Sequence, residues 1–331
     1  MFRPLTNKHS ANSRNILDTS LPATEILGAK TSISTDGETI VSMMFDENFY
    51  DYIDTYVFNA VSGEVISVIN NTTGASVNIS GDGQIISMSN AFSGNGSIRI
   101  YNRNGVSINT IDRPEPSGTL FGRWGTSLSE DGSVIATGHK YNSTVWKVYI
   151  INTLTGALIR TFTDPVGGNT GFGDGVEISS DGSIVAISTF NNKTYVYNTN
   201  TGSLITTITP PVAGDGFSSI TGDGRQVMLY KVGDTQVFRY SAVDGSLLQT
   251  YSIAGLANLS NVEPKMSKDG STIALTNGQE ARIFLGLNTT PALTFVVTAH
   301  PYDFETRCGI SGDGSRFVSN GYGLVQFSQL F

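Results

Sequence analysis

The sequence predicts an all-β protein built from repeated sheets of four antiparallel strands. Three observations support this class: a short motif recurs at a nearly constant spacing, apolar and polar residues alternate around it, and helical periodicity of any length is absent. The composition agrees, because 37 of the 331 residues are Gly and 39% of the residues are hydrophobic, enough for a packed core. We therefore expect a globular chain that is rich in turns.

The recurring motif is an Asp-Gly pair between two apolar, β-branched runs. Gly accepts a positive φ and Asp caps its own turn, so this pattern predicts a tight hairpin. The first copy is ISTDGETIVS, beginning at Ile33, and the last is ISGDGSRFVS, beginning at Ile310. Seven copies occur at spacings of 42 to 50 residues, and their Asp residues are Asp36, Asp82, Asp131, Asp181, Asp223, Asp269 and Asp313.

Each copy predicts four strands. One inner strand precedes the Asp-Gly pair, a second follows it, and a hairpin such as VYIINTLTGALIRTF (Val148–Phe162) supplies the third and fourth. Four-stranded units of this length, repeated radially, are typical of β-propeller blades, so we predict a seven-bladed β-propeller. The last copy has three strands, and we expect residues 15–21 to supply its outermost strand and close the ring. The predicted organisation is an N-terminal arm, residues 1–14, and one propeller, residues 15–331.

The repeat resembles known propeller families. An Asp-Gly hairpin followed by a segment such as YVYNTNTGSLITTI (Tyr195–Ile208) resembles YVTN and quinoprotein-like propellers and, more distantly, WD-repeat propellers. The segments FGRWGTSLSEDG and GFGDGVEISSDG are similar to FG-GAP repeats, but the chain lacks their D-x-D-x-D-G calcium loops and the Trp-Asp dipeptides of WD repeats. The resemblance therefore implies a fold and no particular activity.

Charge and hydropathy exclude several classes of function. The net charge is −8 with only 20 Lys and Arg residues, which argues against binding of a nucleic-acid backbone. No apolar run approaches the ~18 residues that a membrane-spanning helix needs, so membrane insertion is not expected. The first residues lack the apolar region of a secretory signal, and no cellular location is assigned.

Residues that could carry chemistry are few. The three histidines His9, His139 and His300 fall in different units, and each is expected on the surface or in a loop. Cys308 is the only cysteine, and we expect it to act as a small buried hydrophobe. The Asp-Gly carboxylates are explained by their turns, and no nucleophile-elbow or P-loop motif is present. We predict no catalytic residue, metal or cofactor, with weak calcium binding through surface oxygens left open.

Candidate contact residues come from three predicted loops and the arm. The predicted loop Met44–Tyr56 alternates aromatic and acidic residues, a composition suited to a protein interface or a glycan site. The alternative is that these aromatic residues pack between blades. The candidates are Phe2, Arg3, Leu5, Phe45, Asp46, Glu47, Phe49, Tyr50, Asp51, Tyr52, Arg123, Trp124, Tyr302 and Phe304.

Three hypotheses of function remain open. The first is a non-enzymatic protein that contacts other proteins or copies of itself, with a capsid or tail accessory component of a virion as one form of it. The second is an extracellular propeller that binds or cleaves glycans, which requires two carboxylates about 5–10 Å apart at the channel mouth. The third is an intracellular scaffold for partner proteins.

Overall fold

The computed structural model describes sixteen stretches of the chain. They are residues 13–16, 25–46, 51–70, 74, 76–90, 96–115, 121–122, 125–140, 145–168, 170–191, 193–211, 216–256, 262–277, 280–296, 308–321 and 324–329.

The described strands pair into seven four-stranded antiparallel sheets, each a blade. Blade 1 contains β2 (Glu25–Ile33), β3 (Thr39–Asp46), β4 (Asp51–Asn59) and β5 (Val65–Asn70). Blade 2 contains β6 (Ser76–Ile79), β7 (Ile85–Asn90), β8 (Ser97–Asn102) and β9 (Ser107–Asp112). Blade 3 contains β10 (Thr126–Leu128), β11 (Val134–Lys140), β12 (Trp146–Asn152) and β13 (Leu158–Thr163).

The remaining blades repeat this order. Blade 4 contains β14 (Val176–Ile178), β15 (Ile184–Ser188), β16 (Thr194–Asn198) and β17 (Leu204–Ile208). Blade 5 contains β18 (Gly216–Ile220), β19 (Gln226–Lys231), β20 (Gln236–Ser241) and β21 (Leu247–Ser252). Blade 6 contains β22 (Glu263–Met266), β23 (Thr272–Thr276), β24 (Glu280–Leu285) and β25 (Leu293–Val296). Blade 7 contains β26 (Cys308–Ile310), β27 (Arg316–Gly321), β28 (Leu324–Gln329) and β1 (Ser13–Ile16).

The apolar core lies between neighbouring blades. Each of the seven junctions holds one cluster of buried side chains, and the cluster between blades 3 and 4 includes Trp146, Phe162 and Tyr197. The cluster between blades 7 and 1 joins Val318 to Ile33 and Phe58, so the last blade packs on the first. The predicted all-β class, a propeller of four-stranded antiparallel blades, is confirmed.

The ring is closed by the N-terminal strand. In β1, Ser13 pairs with Ser328 of β28 and Ile16 pairs with Val325, which makes β1 the outermost strand of blade 7. The predicted closure is therefore confirmed with a shifted boundary. Ser13 and Arg14, assigned above to the arm, belong to the strand, whereas residues 17–24 lie outside the described residues.

The Asp-Gly hairpins have the predicted turn chemistry. In blade 3, Asp131 Oδ1 accepts hydrogen bonds from Ser129 Oγ at 2.7 Å and from the N–H of Ser133 at 3.0 Å. Gly132 has a φ of 67°, a conformation that glycine adopts without strain. The corresponding hydroxyl-to-carboxylate bond is present in all seven turns, so each Asp is used in its own hairpin.

A closed circle of main-chain hydrogen bonds links these turns around the propeller. The residue before each Asp, or the Asp itself, donates its N–H to a carbonyl in the next blade. Thus the N–H of Glu130 donates to the Ser180 carbonyl at 2.8 Å. The circle closes where the N–H of Gly312 donates to the Thr35 carbonyl at 2.7 Å. All seven junctions are bridged in this way.

Candidate functional site

The antiparallel strands divide the propeller into two faces. Turns between first and second strands, and between third and fourth strands, lie on one side, which we call the Asp-Gly face. Connections between second and third strands, and between successive blades, lie on the other side, which we call the channel face.

A cavity of about 100 Å³ lies between the inner strands, in the half of the channel nearer the channel face. Inner strands of blades 1, 2, 3, 4, 6 and 7 contribute to its wall. Its polar lining includes Lys30, Asn78, Thr126, Glu177, Glu263 and Lys265. The cavity is therefore polar, in contrast to the apolar clusters between the blades.

A three-membered ionic cluster forms one side of this cavity. Lys265 Nζ lies 3.5 Å from Glu177 Oε1 and 3.3 Å from Glu263 Oε1. Ser127 Oγ donates to the other oxygen of Glu177 at 3.2 Å, and the N–H of Cys308 donates to the other oxygen of Glu263 at 2.9 Å. These bonds compensate the burial of Glu263, whose side chain is 5% exposed. The cluster ties the inner strands of blades 3, 4, 6 and 7 together.

Hydroxyl and amide groups form another side. Asn78 Nδ2 donates to Thr126 Oγ1 at 2.7 Å, and Thr126 Oγ1 lies 2.8 Å from Ser76 Oγ. Ser76 Oγ lies in turn 2.8 Å from Ser89 Oγ. The cavity thus combines hydrogen-bond donors, acceptors and both signs of charge, which suits a small polar ligand.

The Asp-Gly face exposes a row of aliphatic side chains. They occupy the tips of the hairpins between third and fourth strands and the first residues of the outermost strands, and Val243 is 61% exposed. We call this set the aliphatic rim. It consists of Val61, Val65, Val106, Leu154, Leu158, Leu204, Val243, Leu247 and Leu287.

The hairpins that carry the rim are held by neighbouring blades. Arg160 Nε of β13 donates to the Thr199 carbonyl of the next hairpin at 2.6 Å. Asn109 Nδ2 donates to the Thr153 carbonyl at 3.0 Å, and Gln249 Nε2 donates to the Leu287 carbonyl at 2.6 Å. Each donor lies on an outermost strand and fixes the hairpin of the following blade. The rim is therefore displayed by a rigid surface.

Carboxylates lie inside the rim, because the Asp-Gly turns join the two inner strands of each blade. The Asp residues of all seven Asp-Gly pairs are exposed on this face. Burial raises the pKa of Asp131, but hydrogen bonds from the N–H of Ser133 and from the Ser129 and Ser133 hydroxyls outweigh it and hold the pKa below its ordinary value. The pKa of Asp181, Asp269 and Asp313 is lowered by the same balance. These groups stay negatively charged at neutral pH.

The basic residues of the same face are fewer, and two of them are engaged by backbone. Arg160 donates to the Thr199 and Asn200 carbonyls, and Arg316 Nη1 donates to the Gly37 carbonyl at 2.7 Å. The described basic side chains here are Arg103, Arg160, Arg225, Lys268 and Arg316. The Asp-Gly face is therefore predominantly acidic within an aliphatic rim.

The segment Met44–Tyr56 was predicted as a loop, and this is wrong. β3 continues to Asp46 and β4 begins at Asp51, so that Phe45 pairs with Tyr52 and Asp46 pairs with Asp51. Aromatic residues that alternate with polar ones favour a strand, and this preference extends the hairpin. Only residues 47–50 connect the two strands.

Most other predicted contact residues cannot be placed. Glu47, Phe49, Tyr50, Arg123, Trp124, Tyr302, Phe304 and the arm residues Phe2, Arg3 and Leu5 lie outside the described residues. The rim was missed because its aliphatic residues were interpreted only as part of the strand pattern. Their recurrence at the hairpin tips is the signal that could have found it.

His139 was predicted on the surface or in a loop, and this is also wrong. It lies on β11, the second strand of its blade, and is 1% exposed, because this strand is covered by neighbouring strands and blades. Its Nδ1 lies 3.4 Å from the Tyr149 hydroxyl. Burial, together with the positive charges of Arg113 and Lys147, lowers the pKa of His139 to about 4. The negative charge of Glu115 acts in the opposite direction. Cys308 is buried, as predicted.

Among the described residues, no group of three or more His, Cys, Asp or Glu side chains is arranged to hold a metal ion. Within the same part of the chain, no helix is long and apolar enough to cross a membrane. Comparison of the sequence with protein-family models and with curated proteins gave no match.

Proposed function

We propose that this protein is a non-enzymatic interaction protein whose propeller contacts another protein through the Asp-Gly face. The observation that carries the proposal is the aliphatic rim. Leu154 is 54% exposed on a hairpin that Asn109 of the preceding blade holds in place, and Val243 is 61% exposed. Exposed apolar side chains that recur on one rigid face are typical of protein interaction sites.

The charges of this face define the partner. The aliphatic rim surrounds the carboxylates of the Asp-Gly turns, so a complementary surface carries basic residues with apolar side chains around them. Contacts between subunits of a virion, as the sequence suggested, are one form of this function, and an intracellular partner is another. The identity of the bound protein decides between them.

Site-specific photo-crosslinking tests the proposal. A photoreactive amino acid replaces Leu154 or Val243 on the rim and, as matched controls, Val166 or Val232, which are exposed on the channel face. We expect covalent adducts with a protein from the two rim positions and far weaker ones from the controls. Mass spectrometry identifies the adduct. Equal labelling from both faces, or adducts from the channel face alone, would contradict the proposal.

A second candidate function is binding of a small saccharide in the channel. The supporting observation is the polar cavity, where the Asn78 amide and the Thr126 hydroxyl lie opposite charged groups of the kind that bind sugar hydroxyls. Glu177 Oε1 and Glu263 Oε1 contact the same ammonium, so these two oxygens lie at most about 7 Å apart, a range that includes the separations of glycosidase carboxylates. Because Lys265 lies between them, the arrangement supports binding over cleavage.

Calorimetric titration with glucose, galactose and N-acetylglucosamine tests this candidate. We expect saturable binding of at least one sugar, weakened by Asn78→Ala and unaffected by the rim variant Leu154→Ser. Absence of binding for all three sugars would contradict it. This outcome would leave the interaction function of the Asp-Gly face untouched.

A further inference from the structure

The strand β1 has its N-terminal end at the Asp-Gly face. Ser13 pairs with Ser328, and the neighbouring Gln329 pairs with Arg316, which follows the Asp-Gly turn of blade 7. Ile16, at the other end of β1, pairs with Val325 toward the channel face. The N-terminal end of β1 therefore lies at the perimeter of the face that carries the aliphatic rim.

The composition of the arm complements this face. Its sequence, MFRPLTNKHSAN, contains the apolar residues Phe2 and Leu5, the basic residues Arg3 and Lys8, and no acidic residue. The face offers exposed aliphatic side chains among carboxylates whose lowered pKa keeps them charged. The arm and this face are therefore complementary both in apolar surface and in charge.

We infer that residues 1–12 of one molecule dock on the aliphatic rim of a second copy of this chain. The inference rests on the proposed function, because it names the partner of the same face. β1 is the outermost strand of its blade, so the arm starts at the edge of the molecule and, extended, spans about 40 Å. In a dimer with one twofold axis, the arm of each copy docks on the rim of the other copy, so the same contact forms twice.

Sedimentation equilibrium of the full chain tests this inference. We expect the full chain to form a dimer, and a chain lacking residues 1–12 to be a folded monomer, because β1 is retained. Arg3→Glu with Lys8→Glu should raise the dimer Kd about tenfold or more. The matched control, Asn7→Ala with Ser10→Ala, keeps the length and charge of the arm and should dimerise normally. A monomeric full chain, or a trimmed chain that dimerises equally well, would overturn the inference.

A mixing experiment separates exchange from docking within one chain. Leu5→Cys and Leu154→Cys are introduced into two separate chains that also carry Cys308→Ala. After mixing and oxidation, we expect a disulfide-linked heterodimer, and placing both substitutions in one chain should give mainly linked dimers. Linkage within single chains alone would overturn the inference.

The two proposals fail in different ways. If the purified chain is monomeric while Leu154 still crosslinks to an unrelated protein, the arm inference is wrong and the interaction function stands. If no protein crosslinks to the rim, the proposed function itself is wrong.

Discussion

Arg239 places a guanidinium where other blades have an aliphatic side chain. The strand register aligns it with Val57, Ile100, Ile150 and Val196. Arg239 is buried, its Nη2 donates to the Gly270 carbonyl at 3.0 Å, and its Nη1 donates to the Gly286 carbonyl at 3.2 Å. Both acceptors belong to blade 6, so this one side chain joins two blades.

We expect Arg239→Ala to lower the free energy of unfolding by about 3 kcal/mol, because the Gly270 carbonyl and the Gln226 amide oxygen lose their donor, while the Gly286 carbonyl keeps the Tyr251 hydroxyl. Arg239→Lys should recover only part of the lost free energy of unfolding, since one ammonium cannot reproduce the several N–H donors of the planar guanidinium. Arg160→Ala is the matched control, since this half-exposed arginine also donates to carbonyls of the next blade and should cost less than about 1 kcal/mol. Urea unfolding of the three variants measures the differences, and equal losses for both arginines would contradict this account.

His139 gives the molecule a pH dependence above the range of its carboxylates. Its pKa in the folded protein is about 4 against an ordinary 6.5, so between these values the unfolded chain binds a proton that the folded chain does not. The free energy of unfolding should therefore fall as the pH decreases from about 6.5 to 4. Thermal unfolding across this range measures the effect. His139→Gln should flatten the profile in this window, and an equally steep profile in the variant would contradict the prediction.

The Asp-Gly carboxylates act at lower pH. Hydrogen bonds hold the pKa of Asp131, Asp181, Asp269 and Asp313 below 3.8, so the stability they contribute is present above that value and is lost as the pH falls through the folded pKa. Asp131→Asn should reduce stability at pH 7 and have less effect at pH 2. If Asp131→Asn lowered the stability equally at pH 7 and pH 2, the charge of Asp131 would not contribute to stability.

The hairpin between the third and fourth strands of blade 5 has a different capping residue from that of blade 4. Asn198 Oδ1 accepts the N–H of Thr201 at 2.8 Å, whereas Ser241 Oγ, at the same position in blade 5, lies 3.4 Å from the corresponding N–H of Asp244. The longer asparagine side chain reaches the turn better. We expect Ser241→Asn to stabilise the protein by about 0.5 kcal/mol and Asn198→Ser to destabilise it by a similar amount. Chemical denaturation of both variants tests this, and changes of the same sign would contradict it.

The strands could be predicted from the sequence because their signals are local. The Asp-Gly turn and the alternation around it lie within a few residues, and each predicts a hairpin by itself. The channel could not be predicted in this way. Glu177 and Lys265 are 88 residues apart, and their contact depends on ring geometry that brings non-adjacent blades together. His139 was misplaced for a related reason, since its burial comes from neighbouring strands.

At the scale of the whole molecule, β1 makes the first and last segments of the chain depend on each other. Deleting residues 1–16 removes this strand, leaves β28 as an unpaired edge and should lower the Tm by about 5 °C or more. Deleting residues 1–12 serves as the control, because it keeps β1, and it should leave the Tm unchanged at protein concentrations below the dimer Kd. Differential scanning calorimetry compares the two deletions. If the longer deletion melted like the full chain, β1 would contribute nothing to closure.

In the circle of main-chain hydrogen bonds, the groups that hold the ring together are backbone amides and carbonyls, and the side chains of the same residues are free to differ. Its members include Thr35, Glu130 and Lys268, whose side chains are chemically unrelated, because only amides and carbonyls take part. Substitution at these positions can therefore change the chemistry around the axis without loosening the closure. Glycine sets the limit at position 312, since a Cβ on Gly312 would collide with the Thr35 methyl group. New specificities can thus evolve on this face while the architecture beneath it stays the same.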